Sequence, residues 1–225
     1  MIKSHKELAE QIIGKRVLLL NSFGKDSIAC MVWLAWAGVE VVALNLKFMV
    51  QHPGDEKYLQ YLSRVFPEIT FIQEPDTQEI NKIMAGIYQS PIKILKDIHH
   101  WEHIELSFDQ LVEEMRVKHN CDYTCWGQSK YESVARASNF YNKGLMQGTK
   151  IFPLGLMDKK QVLDIAKTVK LHPCYKTSKG TLDFPSWYKM RASMILNPEY
   201  YDKMCEIFPL FELDKYRYEV LLEKE

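Results

Sequence analysis

Three things are scarce in this 225-residue chain, and each scarcity removes a class of function. Net charge is absent: 29 Lys and Arg balance 29 Asp and Glu. Proteins that grip nucleic acid over a wide footprint are normally basic, so extensive nucleic-acid binding is not expected, although a local basic patch is allowed. Cysteines number five, an odd count: Cys30, Cys121, Cys125, Cys174 and Cys205. No C-x-x-C or Cys-Cys pair occurs, which argues against a disulfide framework and against an iron–sulfur cluster, and points to a reducing compartment. Long apolar runs are missing as well. Nothing approaches the roughly 20 residues of a membrane span, and the opening MIKSHKELAEQIIGKR lacks a signal-peptide apolar core. The expectation is a soluble, cytoplasmic protein with no membrane partner.

What is present is ample core material. At 47% hydrophobic residues the chain suits one domain with a helical appendage. No internal repeat or low-complexity segment interrupts it. Leu8, Ile12 and Ile13 mark one face of a short helix over 4–13 that Gly14 ends. Arg16 to Leu20 is continuously apolar after its first residue, as a strand buried on both faces is. A helix over 27–37 follows, closed by Gly38, then a second buried strand from Val39 to Leu46. The next helix spans 55–66, with Tyr58, Leu59, Leu62, Val65 and Phe66 inward, and the third strand spans 69–73. Residues 76–118 are mostly helical, with breaks at Pro91 and near His99. A strand over 121–126, a helix over 129–139, a last strand over 150–154 and a helix over 159–170 capped by Asp158 complete the pattern. This alternation predicts an α/β fold with a Rossmann-like parallel sheet of about five strands and flanking helices. Residues 1–170 are expected to form the α/β domain, and 171–225 an irregular, aromatic-rich C-terminal extension of it that either packs on the sheet or lines a ligand's side.

The junction LLLNSFGKDSIAC, residues 18–30, carries the chemistry. A buried strand hands over to a helix through a short polar loop. Unpaired N–H groups at the helix start favour an anion, and the first such crossover of a parallel sheet is a usual seat for nucleotide phosphates. Gly24 lets the backbone turn and approach a ligand, Ser22 and Ser27 offer hydroxyls, and Lys25 adds a point charge. Asp26 either caps the helix or helps hold a magnesium ion. A Walker A loop is excluded, because Lys25 is followed by Asp26 and position 19 is leucine; G-x-G-x-x-G fails because the loop has one glycine. The competing interpretation is a plain polar turn.

Ser22-Phe23-Gly24-Lys25-Asp26-Ser27 resembles the SGGKDS-type loop of the PP-loop ATP pyrophosphatases, the adenine nucleotide alpha-hydrolase-like superfamily, with Phe23 replacing the first glycine. Later residues resemble its phosphoadenosine phosphosulfate (PAPS) reductase-like branch. Pro53-Gly54-Asp55-Glu56 stands where that branch has an acidic, helix-opening segment. Gly127-Gln128-Ser129-Lys130-Tyr131-Glu132-Ser133-Val134-Ala135-Arg136 matches G-x-R-x-x-E-S-x-x-R at Gly127, Glu132, Ser133 and Arg136; Ser129 replaces the first arginine and Lys130 stands beside it. Phe152-Pro153-Leu154 and His172-Pro173-Cys174-Tyr175 resemble the branch's later turns, with Met157 in place of its usual tryptophan.

The resemblance implies that Ser22, Phe23, Gly24, Lys25, Asp26, Ser27, Gly127 and Lys130 bind ATP or a related adenine nucleotide with Mg²⁺. It implies that Lys25, Asp26 and Arg136 act in catalysis, and that Glu132, Ser133, Tyr175, Lys176 and Lys179 face the second substrate. Arg136 has an equal alternative, an ion pair with Glu132 four residues earlier. The implied reaction is cleavage of ATP between the alpha and beta phosphates to adenylate an acceptor, in nucleobase or other small-molecule modification. A thiol-dependent sulfonucleotide reductase is the first alternative, disfavoured because the tail Glu219 to Glu225 has no cysteine. A non-catalytic nucleotide-binding subunit of a larger complex is the second, and a homo-oligomer or partner protein is compatible with either. His99, His100 and His103 lie close together but lack a metal-ligand pattern.

Overall fold

A computed structural model describes residues 1–45, 54–74 and 108–172. The chain divides into two units, one of residues 1–46, 60–74 and 108–171 and one of 47–59, 75–107 and 172–225. The first holds the sheet. Its elements are α1 (His5–Ile12), β1 (Arg16–Leu20), α2 (Lys25–Trp36), β2 (Glu40–Asn45), β3 (Thr70–Gln73), α4 (Phe108–Lys118), β4 (Tyr123–Cys125), a 3₁₀ turn (Lys130–Glu132), α5 (Val134–Lys143), β5 (Met146–Gln147), β6 (Lys150–Ile151) and α6 (Lys159–Ala166). Helix α3 (Asp55–Val65) precedes β3.

The α/β architecture matches the periodicity. Six strands lie in the order β3-β2-β1-β4-β6-β5. All pairs are parallel except β5 with β6. Of that edge pair, β5 is the strand the sequence did not mark, since it is only two residues long. The expected strand over 150–154 stops at Ile151, because Pro153 has no N–H for a ladder and the backbone turns, Gly155 N–H bonding to Phe152 O at 2.9 Å.

The central strands are the core. Val17, Leu18 and Leu19 of β1 and Val42, Ala43 and Leu44 of β2 are fully buried. Helix α2 is covered all round, Ser27 to Leu34 being buried without a break, and it packs on α6. Gly38 takes a φ of +67° behind α2, the left-handed turn a C-terminal glycine supplies. Asp158 caps α6, accepting from Gln161 N–H at 2.8 Å, as expected, although the helix ends at Ala166.

Other boundaries moved for local reasons. Ile13 and Val65, expected inward, are 65% and 38% exposed, because each sits where its helix ends. Helix α2 begins at Lys25 and not at 27, since Gly24 already serves as its N-cap. The expected helix over 129–139 is two pieces, because Ser129 and Ser133 are both extended and each starts its own helical segment. Cys121 lies ahead of β4, after Asn120 at a φ of +52°, so it does not share a strand face with Cys125; both are buried all the same. Segments 75–107 and 173–225, including most of the expected helical run and the aromatic tail, lie outside the described residues.

Candidate nucleotide site

The strand order fixes where a ligand would sit. From β1 the chain crosses to β2, and from β4 it proceeds to β6 on the opposite side. The loops after β1 and β4 therefore part at the carboxyl ends of two neighbouring strands, which is where open α/β sheets have their crevice. Residues 21–24 form one wall and 126–129 the other, both within the first unit.

The first wall holds its shape through buried amides. Asn21 continues β1 by donating its N–H to Leu44 O at 2.9 Å. Its Oδ1 accepts the Phe23 N–H at 3.2 Å, and its Nδ2 donates to Asn45 Oδ1 at 3.2 Å. Asn45 Nδ2 in turn donates to the Asn21 carbonyl at 2.8 Å. Both asparagines are 4% exposed. Within this frame Phe23 adopts a φ of +59°, with its ring buried. Gly24 was expected to make the turn. Its φ of −68° and ψ of 159° are open to any residue, and the left-handed position is Phe23. A Cβ there would lie 3.4 Å from Ser22 Oγ, an ordinary contact, so neither backbone nor space demands glycine at this position. Gly24 has no side chain to cap α2, which leaves the first-turn N–H groups to a ligand. Ser27 donates to Gly24 O at 2.9 Å, and Ser22 Oγ to Ser27 Oγ at 3.4 Å.

Lys25 and Asp26 open α2 and meet Tyr131, in the 3₁₀ turn just past the second wall. Lys25 Nζ donates to Asp26 Oδ2 at 2.5 Å and to Tyr131 Oη at 2.8 Å, while the Tyr131 hydroxyl donates to Asp26 Oδ1 at 2.8 Å. The ammonium lies 5.4 Å from the centroid of the Tyr131 ring. Burial alone would lower the Lys25 pKa, but the hydrogen bonds to Asp26 and Tyr131 outweigh it and raise it. Burial, reinforced by Asp26, pushes the Tyr131 hydroxyl up. Gly127 lets the walls touch: a Cβ at that position would stand 3.2 Å from the Asp26 carbonyl carbon and 3.3 Å from its Cβ.

Beyond Gly127 the chain is anchored from below. Ser129 is fully buried and Lys130 N–H bonds to Gly155 O at 2.9 Å. Glu132 Oε1 accepts from Ser129 N–H at 3.1 Å and Ser129 Oγ at 3.3 Å, and its Oε2 pairs with Arg136. Ser133 caps α5 by accepting the Arg136 N–H at 3.1 Å. The chain thus brings Ser22, Phe23, Gly24, Lys25, Asp26, Ser27 and Gly127 together. Glu132, Ser133 and Arg136 form a neighbouring cluster whose polar atoms hold one another. Tyr175, Lys176, Lys179 and the three clustered histidines lie outside the described residues. In the second unit Asp55, from the acidic segment, approaches His172 Nε2 at 3.2 Å, and the Tyr58 ring meets His172 edge-on at 4.9 Å.

Sequence reasoning did not single out Asn21, Asn45 or Tyr131. The two asparagines each sit at the end of an apolar strand run, where a polar side chain is unexpected; that was the available signal. Cys30 on α2 and Cys125 on β4 are buried free thiols behind the site, and burial pushes the Cys30 thiol well above its ordinary range.

A magnesium ion that arrives with a nucleotide needs one or two protein carboxylates plus phosphate oxygens. Asp26 fits that part: each oxygen accepts one hydrogen bond and keeps a further lone pair. Among the described residues no group of three or more His, Cys, Asp or Glu could hold a metal alone. No helix among them is long and apolar enough to cross a membrane.

No protein-family model matches the chain, and no curated protein does. Solved structures with a similar chain path include an ammonia-dependent NAD synthetase from Campylobacter jejuni in complex with nitrate. It is 15% identical, with a TM-score of 0.45 over 96% of this chain and 90% of that one. NMN synthetase from Francisella tularensis is 15% identical, with a TM-score of 0.49 over 85% of this chain and 86% of that one. A 4-thiouridine synthetase solved with RNA and bound ATP is 15% identical, with a TM-score of 0.49 over 93% of this chain; the chain spans 53% of its length.

Proposed function

We propose that the crevice between the β1 and β4 loops binds the phosphates of ATP, and that the chain cleaves ATP between the alpha and beta phosphates to adenylate an acceptor. The observation that carries this reading is the joint placement of the uncapped α2 start, Lys25, Ser22 and Ser27 at the topological switch point. The resemblance of residues 22–27 to the PP-loop supplies the choice of nucleotide. The matches at Gly127, Glu132, Ser133 and Arg136 support the PAPS reductase-like branch within that superfamily.

In the reaction, an acceptor oxygen attacks the alpha phosphorus, the bond from that phosphorus to the alpha–beta bridging oxygen breaks, and pyrophosphate leaves with the electron pair. Negative charge grows on the leaving group. The Lys25 ammonium and the α2 first-turn N–H groups face that charge, with Ser22 and Ser27 hydroxyls as further donors. Asp26 is the carboxylate that would share Mg²⁺ with the phosphates; bound there, the ion would neutralise charge on the leaving pyrophosphate. Arg136, once released from Glu132, would meet a phosphate oxygen with its planar fork. The reductase alternative has less support: the three cysteines among the described residues are all buried, and burial raises Cys30 and Cys121 away from thiolate. A cytoplasmic location, and a partner or second copy that brings the acceptor, belong to the same proposal.

Calorimetry with ATP and Mg²⁺ on wild type and Lys25→Ala tests the binding step, and pyrophosphate release in the presence of candidate acceptors tests turnover. Binding in wild type and a markedly weaker, still measurable affinity in Lys25→Ala is the expected result. No binding of ATP, AMP or PAPS by wild type refutes the proposal, preference for PAPS restores the reductase, and ATP binding without turnover favours the non-catalytic subunit.

A further inference from the structure

We infer that Tyr131 is a positioning residue for Lys25, and that it acts by holding the ammonium and the Asp26 carboxylate together at the mouth of the phosphate loop. The inference rests on the nucleotide reading above and names a residue which that reading does not use. A free lysine side chain has four rotatable bonds and a charge that points wherever solvent allows. Here two of the three ammonium protons are engaged, one by Asp26 Oδ2 and one by the Tyr131 hydroxyl, so the third is directed and the charge is placed. Both carboxylate oxygens of Asp26 are engaged as well, the second by Tyr131. That matters for a phosphate, because an unpartnered carboxylate in the first turn of α2 would compete with it for the same helix end.

Tyr131 can do this because it is itself fixed. It is the middle residue of the 3₁₀ turn, which buried Ser129, Glu132 and the Lys130 N–H bond to Gly155 pin to the sheet. Gly127, three residues ahead of that turn, lets the chain pass close against the Asp26 backbone. The Lys25 and Asp26 side chains are 17% and 30% exposed, so the triangle is sheltered while its edge stays open to a ligand.

The test is a double-mutant cycle on ATP·Mg²⁺ affinity, with wild type, Tyr131→Phe, Lys25→Ala and the double variant, each checked by circular dichroism. Phenylalanine keeps the ring and removes only the hydroxyl. A hydrogen bond to a charged group is worth about 1.5 kcal/mol or more, so Tyr131→Phe should weaken binding about tenfold. In the Lys25→Ala background the same change should move affinity less than about twofold, since a residue that acts through Lys25 has nothing left to position. Tyr131→His, which keeps a hydrogen-bonding edge, should recover part of the loss. If wild type binds ATP and Tyr131→Phe binds equally well, the inference is wrong and the nucleotide reading stands. An equal tenfold loss in both backgrounds also overturns it, because Tyr131 would then act on the ligand directly. Wild type that binds no adenine nucleotide overturns both.

Discussion

The backbone at Phe23 can be tested by a comparison that removes the ring from both sides. An L-residue at a φ of +59° pays roughly 1–2 kcal/mol for the contact between its Cβ and neighbouring backbone. Glycine has no such cost, but it loses about 0.5–1 kcal/mol more entropy on folding than alanine. At an ordinary position Ala is therefore the more stable of the two. At position 23 the order should invert. Both Phe23→Ala and Phe23→Gly discard a ring whose residue is 8% exposed, a loss of roughly 3–5 kcal/mol for a buried phenylalanine. Wild type should stay above both, and Phe23→Gly should be more stable than Phe23→Ala by about 0.5–1 kcal/mol. Urea unfolding with a shared m-value reads this difference as a shift in midpoint. Alanine equal to or more stable than glycine would mean that residue 23 is not left-handed, and the loop described here would be wrong.

Two further predictions address the rest of the site. Gly127→Ala places a Cβ 3.2 Å from the Asp26 carbonyl carbon, which is backbone and yields little. It should lower stability by about 1–3 kcal/mol, as overpacking does, and weaken ATP binding; unchanged values of both would show that the two walls do not touch. Stability should also decline on both sides of neutrality. Lys25, Tyr131, Cys30 and Cys121 have raised pKa values, so the folded chain keeps protons that the unfolded chain sheds, and stability falls as pH rises past about 8.5. Burial lowers the His5 pKa, so the unfolded chain takes up that proton first, and stability also falls as pH drops through about 6.5. Urea midpoints at pH 5.5, 7.5 and 9.5 check both limbs, and a midpoint still rising at 9.5 contradicts the alkaline one.

The parts of the fold legible in the sequence are those where one period dominates. β1 was placed to the residue because five positions in a row are either apolar or at its boundary. The capping residues Asp158 and Gly38 act within one turn of themselves and were equally legible. β5 was not, since a two-residue strand has no period. The split at Ser133 was hidden because serine caps a helix as readily as it sits in one. The site divides along the same line. Lys25, Asp26 and Ser27 follow from local order, whereas Tyr131 meets Lys25 across 106 positions of sequence, and nothing local marks that pairing.

Phe23 shows how a loop can break a local rule and keep its shape. Left-handed backbone costs roughly 1–2 kcal/mol with a side chain, while covering a phenylalanine ring returns about 1.5–3 kcal/mol. The two nearly offset, so Phe23 is tolerable energetically, but neither term selects the left-handed well over an extended one. Selection comes from Asn21, whose Oδ1 accepts the Phe23 N–H, and from Asn45, which engages both the Asn21 amide and its carbonyl. Because these amides are buried, any other loop conformation would strand polar atoms at about 1–3 kcal/mol each. Asn45 lies at the end of β2, so the shape of the loop between β1 and α2 is set partly from the neighbouring strand. A glycine loop relies on its own freedom and on the ligand to settle it. This loop is held before any ligand arrives, with Gly24 left free of a side chain at the one point where α2 must stay uncapped.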